Sequence, residues 1–76
     1  MMKKAEAQAR RLLAEAVSTV VRQVPKDARF DQLDRWDSLA HMRLILAMEE
    51  QLARPLSTEE ILSIESLADI AKILSS

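Results

Sequence analysis

The absence of glycine limits how this chain can fold more than any other feature of its sequence. The 76 residues contain no Gly and only two Pro, so tight chain reversals cannot use the residue that takes positive φ without steric cost. Apolar residues nevertheless make up 49% of the chain, which is typical of a globular domain and not of a disordered segment. Helices joined by polar loops therefore fit the composition better than tight β-hairpins do.

Apolar spacing predicts a first long helix. Apolar residues recur at three- and four-residue steps between Ala9 and Val24, which is the period of one helical face. We expect a helix from about Lys3 to Val24 that stops near Gln23, because Pro25 lacks an N–H and disfavours helix at the preceding residue. Four charged residues lie off the apolar stripe: Arg10, Arg11, Glu15 and Arg22.

A charged segment, residues 26–36, follows this helix. It has six charged residues in eleven, and it is long for a loop in a compact domain. Such a length points to a function or to a short 3₁₀ turn, here around Phe30–Leu33. Phe30 and Leu33 are the residues of this segment that we expect to point inward.

The second half of the chain predicts three more helices. Residues 38–52 hold nine apolar residues of fifteen, and Ser57 with Glu60 forms a capping box. The expected result is an all-α four-helix bundle with three main helices and a short third helix. The predicted helices with their caps are residues 38–53 after Asp37, residues 58–62 after Ser57, and residues 67–75 after Ser66.

Size and charge exclude several kinds of protein. A chain this short has little interior for a deep catalytic pocket, so an interaction module is favoured over an enzyme. Residues 1–24 carry a net charge of +3, but residues 25–76 carry −4, which disfavours binding of nucleic acid. Without Cys there is no thiolate metal site, and no apolar run is long enough to span a bilayer. We expect a cytoplasmic protein with no metal and no membrane partner.

Ser38 is the residue best suited to carry a modification. Its hydroxyl is expected at the N-terminus of an apolar helix, where unpaired N–H groups and the helix dipole create a positive potential. A phosphate ester there would be stabilised for the same reason that free phosphates bind helix N-termini. The alternative is that Ser38 is only part of a helix cap beside Asp37.

Five short segments carry a specific combination of motifs. They are Phe30–Leu33, Trp36–Leu39, Leu44–Glu50, Thr58–Glu60 and Ile64–Ile70. Asp-Ser-Leu alone is common by chance, but here it precedes an apolar helix that ends in Ala-Met-Glu-Glu, and Ile-x-Ser-Leu-x-Asp follows later. Together these segments resemble acyl carrier proteins and the related peptidyl carrier proteins. The resemblance implies one carrier domain over residues 1–76, with a bundle of the acyl-carrier type.

The resemblance also implies a cofactor and a function. The Ser38 hydroxyl would carry 4′-phosphopantetheine, transferred from coenzyme A by a phosphopantetheinyl transferase, with Asp37 and Leu39 in the same cofactor-binding set. The thiol of that arm would hold an acyl or aminoacyl group as a thioester. An adenylate-forming ligase or an acyltransferase would load it, and downstream biosynthetic enzymes would use it. The alternative is a carrier-like helical interaction module that is never modified.

The second helix and the loop before it would then form the docking face, and here the sequence departs from the family pattern. Arg35 replaces a common Gly, and Trp36 replaces an aliphatic residue. Ala40 and Arg43 stand at positions that are acidic in fatty-acid carriers. Because this half of the helix has lost its negative charge, we expect a dedicated partner in a specialised pathway. The residues expected on the docking face are Trp36, Met42, Arg43, Leu46, Glu49 and Glu50.

Several of these residues have a second interpretation. Met42 and Leu46 are either ordinary core residues or exposed contacts for a partner, and Met suits an adaptable surface. Trp36 is expected to pack on the loop as a lid. His41 is expected to be an ordinary exposed histidine, because the chain has no second His or Cys for a metal site and no nucleophile–base pair for catalysis.

Overall fold

Four α-helices and one 3₁₀ turn make up the regular structure of residues 2–75, the part of the chain that the computed structural model describes, with side chains from residue 4. The predicted all-α four-helix bundle with a short third helix is confirmed. None of the described helices is long and apolar enough to cross a membrane. The elements are α1 Met2–Ala16, the 3₁₀ turn Val21–Gln23, α2 Ser38–Leu52, α3 Thr58–Ser63 and α4 Leu67–Leu74.

The core lies between α1 and the two helices that pack against it, α2 and α4. Every residue that is buried in the described part of the chain is apolar. The burial therefore stabilises the fold without the cost of a fully buried charged residue. α3 contributes only partly buried Ile61, and the loops add Val24, Ala28 and Trp36. The largest side chains with almost no exposed surface are those of Leu13, Val24, Trp36, Leu44, Met48 and Ile70.

The first helix ends at Ala16, so the predicted helix to Val24 is wrong. Ser18 takes a left-handed conformation with φ 60°, and the Thr19 N–H donates to the Ala14 carbonyl over 2.8 Å. This is the Schellman arrangement that ends a helix, made here without glycine. The β-branched residues that follow, from Thr19 to Val21, also have low helix propensity.

Two arginines hold the segment after α1 in place. Arg10 Nη2 donates to the carbonyls of Val21 and Val24, at 3.1 and 2.7 Å. From the other side of the segment, Arg35 Nη1 donates to the Ser18 carbonyl at 2.8 Å. These charged donors satisfy carbonyl groups that a continued helix would have paired internally.

The loop of residues 26–36 is a series of turns. The 3₁₀ turn that was one expectation for Phe30–Leu33 is not formed there. A 3₁₀ turn lies before the loop, at Val21–Gln23. Leu33 packs on the core as expected. Phe30 remains 40% exposed, although its ring contacts that of Trp36, so its predicted inward position is only partly confirmed. Its backbone N–H donates to the Glu65 carbonyl at 2.8 Å, which ties the loop to the start of α4.

Helix α2 also ends without glycine. Ala53 has φ 57°, and the Arg54 N–H donates to the Glu49 carbonyl at 3.2 Å, which is a second Schellman arrangement. For a residue with a Cβ, this left-handed conformation costs roughly 1–2 kcal/mol.

Glycine at either left-handed position should therefore stabilise the protein. We expect Ser18→Gly and Ala53→Gly each to raise the free energy of unfolding by about 1 kcal/mol, since relief of the steric cost outweighs the added chain entropy. Ala47→Gly, within α2, is the matched control and should lower it by about 1 kcal/mol. Urea unfolding followed by circular dichroism measures all three. A loss of stability in Ala53→Gly would contradict the assigned backbone conformation.

The predicted capping box of α3 is confirmed and is extended by a salt bridge. Ser57 Oγ accepts from the Glu60 N–H, and Glu60 Oε1 accepts from the Ser57 N–H. Arg54 reaches the same carboxylate with both terminal nitrogens, at 3.1 and 3.0 Å. The hydrogen bond from Arg54, followed by that from the Ser57 N–H, lowers the pKa of Glu60 from 4.5 to about 2.

This depressed pKa predicts a pH-dependent contribution to stability. Because the folded protein binds the Glu60 proton more weakly than the unfolded chain, the contribution is complete above pH 4.5 and is lost as the pH falls toward 2. We expect the difference in unfolding free energy between the wild type and Glu60→Gln to shrink over that range. The exposed neighbour Glu59 gives the control, Glu59→Gln. A difference that stays constant with pH would contradict the assignment.

Candidate functional site

Ser38 is the first residue of α2, and its side chain is exposed. Asp37, extended at φ −97° and ψ −172°, is the N-cap, and its Oδ1 accepts from the Ala40 N–H at 2.9 Å. The predicted cap is therefore confirmed, and it is the carboxylate of Asp37 that provides it. The hydroxyl of Ser38 stands beside the positive end of the helix dipole, where another enzyme can reach it.

An aromatic cluster lies beneath this helix start. Trp36 is 2% exposed, and its Nε1–H donates to Nδ1 of His41 at 3.0 Å. The ring of Phe30 meets Trp36 edge to face, with centroids 5.7 Å apart, and lies 5.4 Å from the ring of His41. Since Phe30 and Trp36 belong to the loop and His41 to α2, the cluster fixes the loop against the helix that begins with Ser38.

This cluster corrects two predictions. His41 is half-buried and bonded to Trp36, so it is not the ordinary exposed histidine that we expected. Trp36 packs against the loop as predicted, but its buried indole cannot contact a partner, and its place on the docking face is wrong. The hydrogen bond depends on how the loop folds back, and nothing in the local sequence pattern indicates it.

The outward face of α2 is apolar near Ser38. Leu39, Met42 and Leu46 are 58%, 62% and 61% exposed, which rules out the interpretation of Met42 and Leu46 as core residues. Arg43 and Glu50 are also exposed. Glu49 is half-buried, and its Oε2 accepts from the Leu56 N–H at 2.8 Å, so this predicted docking residue also holds the loop between α2 and α3.

A cleft of about 260 Å³ lies between the end of α1 and the start of α2. Arg35, Arg43 and Asp37 line it, together with apolar side chains that include Val17 and Leu39. Arg35 is fixed there by its bond to the Ser18 carbonyl. This role of Arg35 was not predicted, because it depends on where α1 ends.

The chemistry available at this site is that of a hydroxyl group that can receive a group transferred by another enzyme. Ser38 is an exposed hydroxyl at a positive helix terminus, and the nearest histidine, His41, already accepts from Trp36 through Nδ1. No group of three His, Asp or Glu side chains suited to a metal ion occurs in the described part of the chain. The exposure of Ser38 at the positive end of α2 suits a residue that a second enzyme modifies.

Comparison with known proteins identifies the family. A family model described as "Phosphopantetheine attachment site" matches residues 7–74, a range that includes all of α2, α3 and α4. No curated protein matched the chain. Members of the matched family carry 4′-phosphopantetheine, a covalent group derived from coenzyme A. The resemblance to acyl and peptidyl carriers is confirmed: the chain belongs to the phosphopantetheine-binding carrier family.

Proposed function

We propose that this protein holds acyl or aminoacyl groups as thioesters on a 4′-phosphopantetheine arm attached to Ser38. The observation that best supports this proposal is the exposed Ser38 at the first position of α2, directly after the N-cap Asp37. The reactions would take place in partner enzymes, and the carrier would supply a high local concentration of the tethered group. A phosphopantetheinyl transferase and a loading ligase or acyltransferase are the first partners, before the downstream biosynthetic enzymes.

The hydrogen bonds of the other serines support this choice. Residues 7–74 contain five serines, and three hydroxyls are engaged: Ser57 and Ser66 in helix caps and Ser63 with the Glu60 carbonyl. Ser18 is exposed, but it follows the C-terminus of α1, where the helix dipole disfavours a phosphate. Ser57 is also exposed at a helix N-terminus, but its hydroxyl forms the cap of α3, whereas the cap of α2 is the carboxylate of Asp37 and not the hydroxyl of Ser38.

We further propose that residues 1–76 form one carrier domain that serves a specialised pathway in the cytoplasm. The basis is the docking helix, where Ala40 and Arg43 stand in place of the acidic residues of fatty-acid carriers. Enzymes with basic docking patches would be attracted only weakly to this helix, because charge complementarity sets partner choice and encounter rate.

Mass spectrometry of the modified protein tests the proposal. The wild type is incubated with coenzyme A and a broad-specificity phosphopantetheinyl transferase, and we expect the intact mass to rise by one phosphopantetheine group. Trypsin then cleaves after Arg35 and Arg43 and releases Trp36–Arg43, in which Ser38 is the single hydroxyl residue. The added mass should reside on this peptide. An unmodified protein, in a reaction that modifies a control carrier, would favour the unmodified interaction module.

A further inference from the structure

We propose that His41 is a pH-sensitive switch that holds the loop of residues 26–36 against α2. With a neutral ring, His41 accepts the hydrogen bond of the Trp36 indole, and with a protonated ring it releases the end of the loop, directly before Ser38. The switch goes beyond the proposed function, because it operates in the unmodified chain and needs neither the arm nor a partner enzyme.

The bond between the two side chains requires a neutral histidine with its proton on Nε2. Trp36 Nε1 lies 3.0 Å from Nδ1 of His41, and an indole nitrogen can only donate. Nδ1 must therefore offer a lone pair, which leaves the single proton of the neutral ring on Nε2. A second proton can bind only at Nδ1. Two N–H groups then face each other, and the bond is lost.

The buried indole gains no new partner when this bond is lost. Trp36 is 2% exposed, so almost no water reaches its N–H while the loop keeps its place. A buried donor without an acceptor is destabilising, and a positive charge opposite it adds to the cost. The protonated state therefore favours a loop in which the indole turns toward water, and this requires the end of the loop to move away from α2.

The bond controls the segment that leads into Ser38. The first half of the loop is tied to the start of α4 through the Phe30 N–H. In the second half, Arg35 donates to a carbonyl just after α1, and Trp36 donates to His41. Loss of the second of these side-chain bonds loosens the last residues of the loop while the helices stay in place.

The charged side chains around the switch are exposed and of both signs. α1 packs on α2 through apolar side chains. In the described part of the chain the ion pairs are Arg29–Asp31 and Arg54–Glu60, so no carboxylate is paired with His41. Salt screens exposed charges, whereas it does not restore a lost hydrogen bond. The exposed groups are Arg29, Asp31, Asp34 and Arg35 in the loop, Asp37 and Arg43 by sequence on α2 or its cap, Glu59 on α3, and Glu65 before α4.

The composition of the chain makes the switch measurable. Histidine ordinarily changes its charge between about pH 5 and 8, and the chain has one His and no Cys. Asp and Glu ordinarily titrate near about pH 4, and a terminal amine near about pH 8. A transition centred between these limits is therefore assigned to His41. Trp36 is the only tryptophan, so indole signals report on the switch alone.

Fluorescence and NMR of the unmodified full chain test the proposal. As the pH falls from about 7.5 to about 5.5, we expect the Trp36 emission maximum to shift to longer wavelength. The indole Nε1–H resonance should leave its hydrogen-bonded position over the same range. The ¹⁵N resonances of the His41 ring should change from the neutral Nε2–H form to the protonated form with the same midpoint. The transition should persist at high salt, because it does not depend on the exposed charges.

Variants identify the group that titrates. His41→Asn places an amide oxygen near the position of Nδ1 and does not titrate, so its indole signal should stay constant over the range. His41→Ala lacks the acceptor and should show the low-pH indole signal throughout. Asp34→Asn is the control, because it removes an exposed charge from the loop and should retain the transition.

Three results would overturn the switch. One is an indole resonance that does not move while the His41 ring takes up its proton. Another is a transition that persists in His41→Asn. The third is a loss of helical circular dichroism over the same range, which would mean that the whole domain unfolds. If the variants do not fold, the two ring signals of the wild type decide by themselves, and none of these measurements depends on modification of Ser38.

Discussion

Ser38→Ala is expected to abolish attachment of phosphopantetheine while leaving the helical fold intact. The variant removes the one hydroxyl of the segment Trp36–Arg43. The cap of α2 survives, because the carboxylate of Asp37 provides it. We therefore expect a change in unfolding free energy within about 0.5 kcal/mol, as for other exposed substitutions that remove no structural bond.

Ser18→Ala is the matched control. Ser18 is also exposed and lies in the same family-matched range, but at the C-terminal end of its helix. It should be modified at the wild-type rate, whereas the mass of Ser38→Ala stays unchanged after prolonged incubation with transferase and coenzyme A. A modified Ser38→Ala protein would place the arm on another residue and would remove the basis of the proposed function.

The parts of the fold that the sequence predicted are those decided by local chemistry. Asp37, Ser57 and Ser66 each precede their helix and accept from its first turn in the structure. These bonds join residues only three positions apart, so the pattern of residue types is sufficient to predict them. Exposure of Ser38 followed from the same reasoning, because it requires only a helix that starts where the charged loop ends.

The errors concern contacts between residues that are distant in sequence. The end of α1 depends on carbonyl groups that Arg10 and Arg35 satisfy from elsewhere in the chain, and on Ser18 taking a conformation usually left to glycine. Apolar periodicity continues through this region, so it predicted a longer helix. The bond between Trp36 and His41 was missed because it depends on the tertiary path of the loop.

Trp36→Ala is expected to produce the largest loss of stability of any substitution considered. The indole is 2% exposed, and truncation of a buried Trp costs about 3–5 kcal/mol. A 76-residue domain has a total stability of roughly 4–11 kcal/mol, so the variant should lose a large share of it. Thermal unfolding followed by circular dichroism measures the change. A fall in the melting temperature of less than about 5 °C would contradict the central position of Trp36.

The control keeps an aromatic ring at position 36 and removes the hydrogen bond. Trp36→Phe retains most of the apolar volume and the contact with Phe30, but it cannot donate to His41, so we expect a smaller loss of about 1–2 kcal/mol. His41→Ala removes the acceptor and leaves the buried indole N–H without its partner, with a similar expected loss. Trp36 is the only tryptophan, so its fluorescence also reports the change in His41→Ala directly.

The double variant shows how far the two rings act as a unit. If the bond between Nε1 and Nδ1 links the loop to α2, Trp36→Phe and His41→Ala combined should cost about 1 kcal/mol less than the sum of the single variants. Each single change already breaks the same bond, so the second change has less to remove. Losses that simply add would mean that the two side chains stabilise the fold independently. The loop would then be held by its backbone bonds to the start of α4, from the Phe30 N–H to the Glu65 carbonyl and from the Leu67 N–H to the Ala28 carbonyl.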